Sequence, residues 1–92
     1  MSKQLFNLGS VVATPGALRL MEKHSMTPMQ FLQRHVTGDF GDLDEGDKEL
    51  NNEAIWNDER ILSSYKLNET DTLWVITEAD RSSTCVLEPS DY

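Results

Sequence analysis

Ile61-Leu-Ser-Ser-Tyr-Lys-Leu67, Asn68-Glu-Thr-Asp71 and Thr72-Leu-Trp-Val-Ile-Thr77 follow one another without a break, and their reading decides the fold. The outer two segments are rich in β-branched and aromatic residues. The middle one consists of polar turn formers, so the whole reads as two antiparallel strands and their connection. Ala79-Asp-Arg-Ser-Ser83 reads as a second turn, with Arg81 pairing locally with Glu78 or Asp80 and the hydroxyls capping the bend. A third strand from Thr84 to Glu88 follows, Pro89 stops it, and Ser90-Asp-Tyr92 is a short tail. The run Leu73 to Ile76 is apolar at successive positions, which marks a strand buried on both faces and therefore central. Strand 84–88, at the other side of this meander, is expected to be an edge open to self-association.

Upstream of the meander the period changes. Thr14-Pro15 and Thr27-Pro28 each read as a helix start, with threonine as N-cap and proline at the first helical position, where no amide hydrogen is needed. Gln30, three residues after Thr27, completes a capping box, and Met26 and Phe31 are placed as its hydrophobic staple. The first helix, about 15–24, offers Ala17, Leu18, Leu20 and Met21 as its apolar side; the second, about 28–36, offers Met29, Phe31, Leu32 and Val36. A third helix is expected after Asp44, with Glu45 and Asp47 in its first turn, where carboxylates suit the helix dipole. It continues through Leu50, Ala54 and Ile55 to about Asn57, with Trp56 at least partly buried. Before the helices, Leu8-Gly-Ser-Val-Val-Ala13 is a strand or an extended lead-in. The expected fold is α+β: an N-terminal extended segment and two or three short helices, packed on a C-terminal three-stranded antiparallel meander, in one domain spanning residues 1–92.

Charge is segregated along the chain. The 16 acidic residues outnumber 8 basic ones, for a net charge of −8. Nine of the acids fall between Asp39 and Glu59 with only Lys48 opposing them, whereas Lys3, Arg19, Lys23 and Arg34 against Glu22 leave positions 1–38 at +3. Phosphate affinity comes from clustered lysine and arginine, so this balance argues against direct nucleic-acid or anionic-membrane binding and favours a protein partner with a basic surface. Two carboxylates about 7 Å apart in water repel by roughly 0.6 kcal/mol before ionic screening, so an exposed acidic run is tolerable without a metal. Asp39, Asp42, Asp44, Glu45, Asp47, Glu49 and Glu53 are the candidate partner-binding residues.

Other chemistries lack their residues. Asp42, Asp44 and Gly46 resemble the start of a calcium loop, but Gly46 and Asp47 stand where a ligand and then the turn glycine are required. Cys85 is the only cysteine, which excludes an intramolecular disulfide and a cysteine-based zinc site, and in a strand it reads as a small core residue. His35, next to Leu32 and Val36 on a helix, reads as a core-edge histidine bonded to backbone. Ser82 with His35 and an aspartate lacks the sequence surroundings of a nucleophile. No catalytic residue, cofactor or metal is expected. The start, Met1-Ser-Lys-Gln-Leu-Phe-Asn7, has no apolar stretch fit for a signal peptide, and no segment is long enough to span a bilayer, so the expectation is a cytoplasmic protein, monomer or homodimer.

Four segments resemble an uncharacterised family of small bacterial proteins of plasmids and integrated mobile elements. They are Val11-Val-Ala-Thr-Pro-Gly-Ala-Leu18, the stretch from His35 to Asp47, Ile61-Leu-Ser-Ser-Tyr65 and Trp74-Val-Ile-Thr-Glu-Ala-Asp-Arg-Ser-Ser83. Members are often labelled plasmid-related, or as a methyltransferase subunit of a type I restriction system. The second label implies a cofactor-binding α/β domain and an Asn-Pro-Pro-Phe-like motif, and this chain has neither. The resemblance implies a mobile-element setting, in which small acidic proteins interfere with host defence by imitating DNA. The function expected is a non-enzymatic acidic protein-binding domain. The alternatives are a small toxin-like nuclease or its remnant, for which only Lys66 and Arg81 are available on the sheet, and a structural or regulatory subunit that self-associates.

Overall fold

The computed structural model of the chain describes residues 4–92; Lys3, counted above in the basic N-terminal part, and the start of the chain lie outside them. In order along the chain come strand β1 (Ser10–Ala13), helices α1 (Pro15–Lys23), α2 (Pro28–Val36) and α3 (Glu45–Asn57), strands β2 (Ile61–Lys66), β3 (Thr72–Thr77) and β4 (Ser83–Leu87), and a closing 3-10 turn, Pro89–Asp91. The fold is α+β, with three helices on a four-stranded mixed sheet of order β1-β4-β3-β2.

The expected meander is present as β2, β3 and β4, each antiparallel to the next, with Trp74 in β3 opposite Ser64 on one side and Leu87 on the other. A fourth strand completes the sheet. Ser10 to Ala13 pair parallel to Ser83 to Val86, so β4 is an interior strand rather than the edge expected for residues 84–88. This pairing joins the start of the chain to its end, and hydrophobic pattern carries no information about such a partner. Gly9 makes it possible: at φ +65 its backbone lies against the Arg81 and Ser82 carbonyls, and a Cβ there would collide with both.

The helix boundaries follow their caps. Thr14 accepts a hydrogen bond from the Ala17 amide, the Gln30 side chain accepts from the Thr27 amide as in a capping box, and Asp44 accepts from the Asp47 amide. Helix α3 ends at Asp58, which takes the left-handed conformation at φ 53. No helix among the described residues is long and apolar enough to cross a membrane.

Every inward residue of the three antiparallel strands is inaccessible to solvent: Ile61, Ser63 and Tyr65 on β2, Leu73, Val75 and Thr77 on β3, Thr84 and Val86 on β4. Ala17, Met21, Phe31 and Leu32 pack on Tyr65, Leu73, Val75 and Val86, with Met26 against them, as the staple requires. A second cluster joins Phe6, Val36, Phe40 and Ala54 to Ile61. The outer face carries Leu62, Trp74, Ile76, Cys85 and Leu87, of which Ile76 and Leu87 are buried; the Tyr92 ring meets Trp74 edge-on at 5.8 Å.

Four expected core residues turn outward: Leu18, Met29, Leu50 and Trp56, the last 82% exposed. The reason is helical phase. Ala17 and Met21 face the sheet from α1, and Asn51 with Ala54 faces it from α3, so Leu18, about one hundred degrees from Ala17, and Trp56, about one hundred and sixty degrees from Ala54, point to solvent.

Candidate functional site

The acidic segment divides into two parts with different work. Asp39 forms a two-point ion pair with Arg34, at 2.7 and 3.3 Å, and accepts from the Gly41 amide. That guanidinium holds the Asp39 carboxyl below the usual carboxylate range and stacks 4.4 Å over the Tyr65 ring. The Tyr65 hydroxyl donates to the Asp39 carbonyl at 2.7 Å, and burial pushes its pKa up to about 12. Asp42 accepts from the Lys66 amide at 2.7 Å, beside the strand end, and Asp44 is the cap of α3. Three of the seven candidate residues are therefore parts of the scaffold, holding the segment between α2 and α3 against β2.

The other four, Glu45, Asp47, Glu49 and Glu53, stand on α3 and are exposed. Lys48 reaches only Glu45, at 3.9 Å. Glu45, Glu49 and Glu53 recur every four residues, which spaces them about 6 Å apart along one side of the helix. Asn52 and Trp56 share that outward side, and exposed Leu50 flanks it. An indole surrounded by carboxylates and open to water is the feature that sequence reasoning missed, because tryptophan is so often buried. The acidic, weakly amphipathic helix around it was the available signal.

Inside the fold lies a different polar group. His35, Ser63, Thr77 and Thr84 are all fully buried and bonded in a chain. The Thr84 hydroxyl donates to the Leu8 carbonyl at 2.8 Å, an acceptor only, so Thr84 must accept from Thr77, also at 2.8 Å. Thr77 has then spent its proton and accepts from His35 Nε2 at 2.9 Å. With Nε2 carrying the hydrogen, Nδ1 accepts from the Ser63 hydroxyl. The bonds alone thus assign the tautomer. Phe6 and Phe40 set their rings against the imidazole at centroid distances of 5.1 and 6.4 Å, and burial pushes its pKa down to about 4. The expected backbone partner for His35 is replaced by two hydroxyls, and a residue sealed this way cannot meet a substrate.

The remaining candidates separate in space. Ser82 sits in the β3–β4 turn with its amide on Asp80, and His35 bonds Ser63 and Thr77 instead. Arg81 makes no ion pair with the Glu78 or Asp80 carboxylate; its guanidinium donates to the carbonyls of Ala54, Glu59, Glu78 and Ala79, tying the C-terminus of α3 to the turn. That commitment removes one of the two cations a nuclease reading relies on. Burial pushes the Cys85 thiol up, away from thiolate reactivity. Among the described residues no group of three or more histidine, cysteine or acidic side chains is arranged to hold a metal ion. No family model matches the chain, and searches of curated proteins and of solved structures return no match.

Proposed function

We propose that the protein is a non-enzymatic protein-binding domain that presents α3 to a partner with a basic surface. The observation that carries this reading is Trp56, 82% exposed on the same side of α3 as Glu45, Glu49 and Glu53. A carboxylate array alone is consistent with solvation, but an exposed indole costs solubility and contributes nothing to this core. Tryptophan desolvated in a partner's pocket is a common binding hot spot, contributing about 2 kcal/mol or more. The carboxylates steer encounter and set orientation; the indole and Leu50 supply apolar burial. In the mobile-element setting implied by the sequence resemblance, the fitting partner is a nucleic-acid-binding host or defence protein. Its phosphate-binding groove would receive the row of glutamates in place of a phosphate row.

The test is affinity capture from a bacterial host with wild type and two variants, Trp56→Ala and the triple change of Glu45, Glu49 and Glu53 to Gln. All the substituted side chains are exposed, so stability should change by no more than about 0.5 kcal/mol per site. A single basic partner retained by wild type, lost by both variants and released by raised salt is the expected result. Equal capture of that partner by the triple variant would overturn the reading.

A further inference from the structure

The two edges of the sheet are treated in opposite ways. On the free side of β2 the outward backbone groups are closed by dedicated partners. The Asn51 side chain bonds both the amide and the carbonyl of Leu62, at 3.2 and 2.6 Å. The Ser64 amide donates to the Phe40 carbonyl and the Ser64 carbonyl accepts from the Asp42 amide. The Lys66 amide ends on the Asp42 carboxylate. Against that seal, β1 is bare. The Ser10 and Thr14 amides donate to Ser82 and Val86 of the β4 side, and the alternation of a parallel ladder turns Val12 the same way. Val11 and Ala13 therefore point both their N–H and C=O to the open side, without a partner among the described residues. No charge, proline or bulge interrupts Ser10 to Ala13, so the only protection of this edge is its length of four residues.

The chemistry of this edge selects its occupant. Residues 4–18 carry no charged side chain in a chain of net charge −8. β1 itself therefore adds no like charge at a contact between two copies, and the Asp91 carboxylate bonded to Thr14 lies beyond its end. We propose that β1 pairs antiparallel with β1 of a second copy, about a two-fold axis at Val12, making one continuous eight-stranded sheet from two four-stranded ones. The register is self-consistent. Val11 of each copy stands opposite Ala13 of the other, and both residues offer donor and acceptor outward, so each pair forms two reciprocal hydrogen bonds. Val12 meets the second copy's Val12 between them in a non-hydrogen-bonded pair, the closer of the two spacings. On the outer face Leu62, Ile76, Cys85 and Val12 lie in one cross-strand row. The pairing extends this row across the axis and covers Val12, now 52% exposed. This surface is distinct from α3, so the two proposals stand or fall separately.

Sedimentation from micromolar to millimolar concentration, with amide hydrogen exchange over the same range, tests the pairing. The expected results are a mass twice the 10.5 kDa of the chain at the upper end and exchange at Val11 and Ala13 that slows with concentration. The Val12 amide, already turned to β4, should not change, and added salt should strengthen association by screening like net charges. Val12→Lys should weaken dimerisation by roughly tenfold or more through facing like charges, while the α3 variants dimerise as wild type does. A mass of 10.5 kDa throughout, or concentration-dependent protection at residues other than Val11 and Ala13, would overturn the proposal. The exchange measurement uses wild type, so it decides the matter even where the lysine variant fails to fold.

Discussion

Lowering the pH should unfasten this fold at one imidazole before its carboxylates matter. Histidine in an unfolded chain titrates near 6.5, and burial holds His35 near 4. The folded pKa is the depressed one, so between these values the unfolded chain binds a proton that the folded chain refuses. Stabilisation is then complete above about 6.5, declines as pH falls toward 4, and stops declining once both states are protonated. A window of about 2.5 units at about 1.4 kcal/mol each comes to about 3 kcal/mol, a large part of the stability of a small domain. Protonation gives Nδ1 a hydrogen directed at Ser63, which must then turn its own proton away from the imidazole. The rings of Phe6 and Phe40 provide no counter-charge, and the nearest chain neighbours with charge, Arg34 and Asp39, pair with each other at the surface. Urea unfolding across this pH window, followed by tryptophan fluorescence, measures the effect. His35→Gln supplies the reference, because an amide can donate and accept without titrating. Wild type should lose about 3 kcal/mol more than the variant between neutral pH and 4. Asp71, held near 2 by hydrogen bonds from His24 and Lys23, and Asp39 lose their stabilisation only at lower pH and are common to both proteins. Parallel pH curves for the two proteins would refute the argument that His35 is buried neutral.

Two further substitutions probe the closed side of the sheet. Asn51→Leu removes both bonds to Leu62 and leaves a backbone amide and carbonyl unpaired; equilibrium denaturation should show a loss of about 2 kcal/mol, with light scattering revealing new aggregation along the opened edge. Gly41→Ala places a Cβ against the Ser64 carbonyl and the Tyr65 ring at a residue with φ +78, and thermal unfolding should report a loss of at least about 2 kcal/mol. A stability unchanged from wild type would mean that the segment between α2 and α3 is not fixed to β2 as described.

Local chemistry was the readable part of this chain. Thr14-Pro15, Thr27-Pro28 and Asp44 placed three helix starts because each cap depends only on residues within one turn. The antiparallel strands were readable from alternation and turn residues for the same reason. The parallel partner of β1 was not, since Val11 and Thr84 are joined only by the folded chain. Helical phase misled the reading at Met29, Leu50 and Trp56: an apolar residue's type does not state which side of a short helix meets the sheet. At the candidate site the acidic run was plain, but the division of labour within it was hidden. Whether Asp39 and Asp42 meet solvent or hold the scaffold depends on Arg34 and Lys66 being brought to them.

The buried hydroxyls also decide which strand alignments are admissible. Alternation of apolar residues forbids a slip by one residue, because it would exchange the two faces of the sheet. It tolerates a slip by two, since Leu73, Val75 and Thr77 all point inward and similar volumes would still meet. Thr77 opposite Thr84, with His35 bonded across to Thr77 and Ser63, does not tolerate that slip. Moving β3 by two positions would set Val75 where Thr77 stands, leaving the buried imidazole N–H with no acceptor and the Thr84 hydroxyl with only its bond to Leu8. Oil-like contacts thus choose the face, and a file of four polar side chains chooses the position along it.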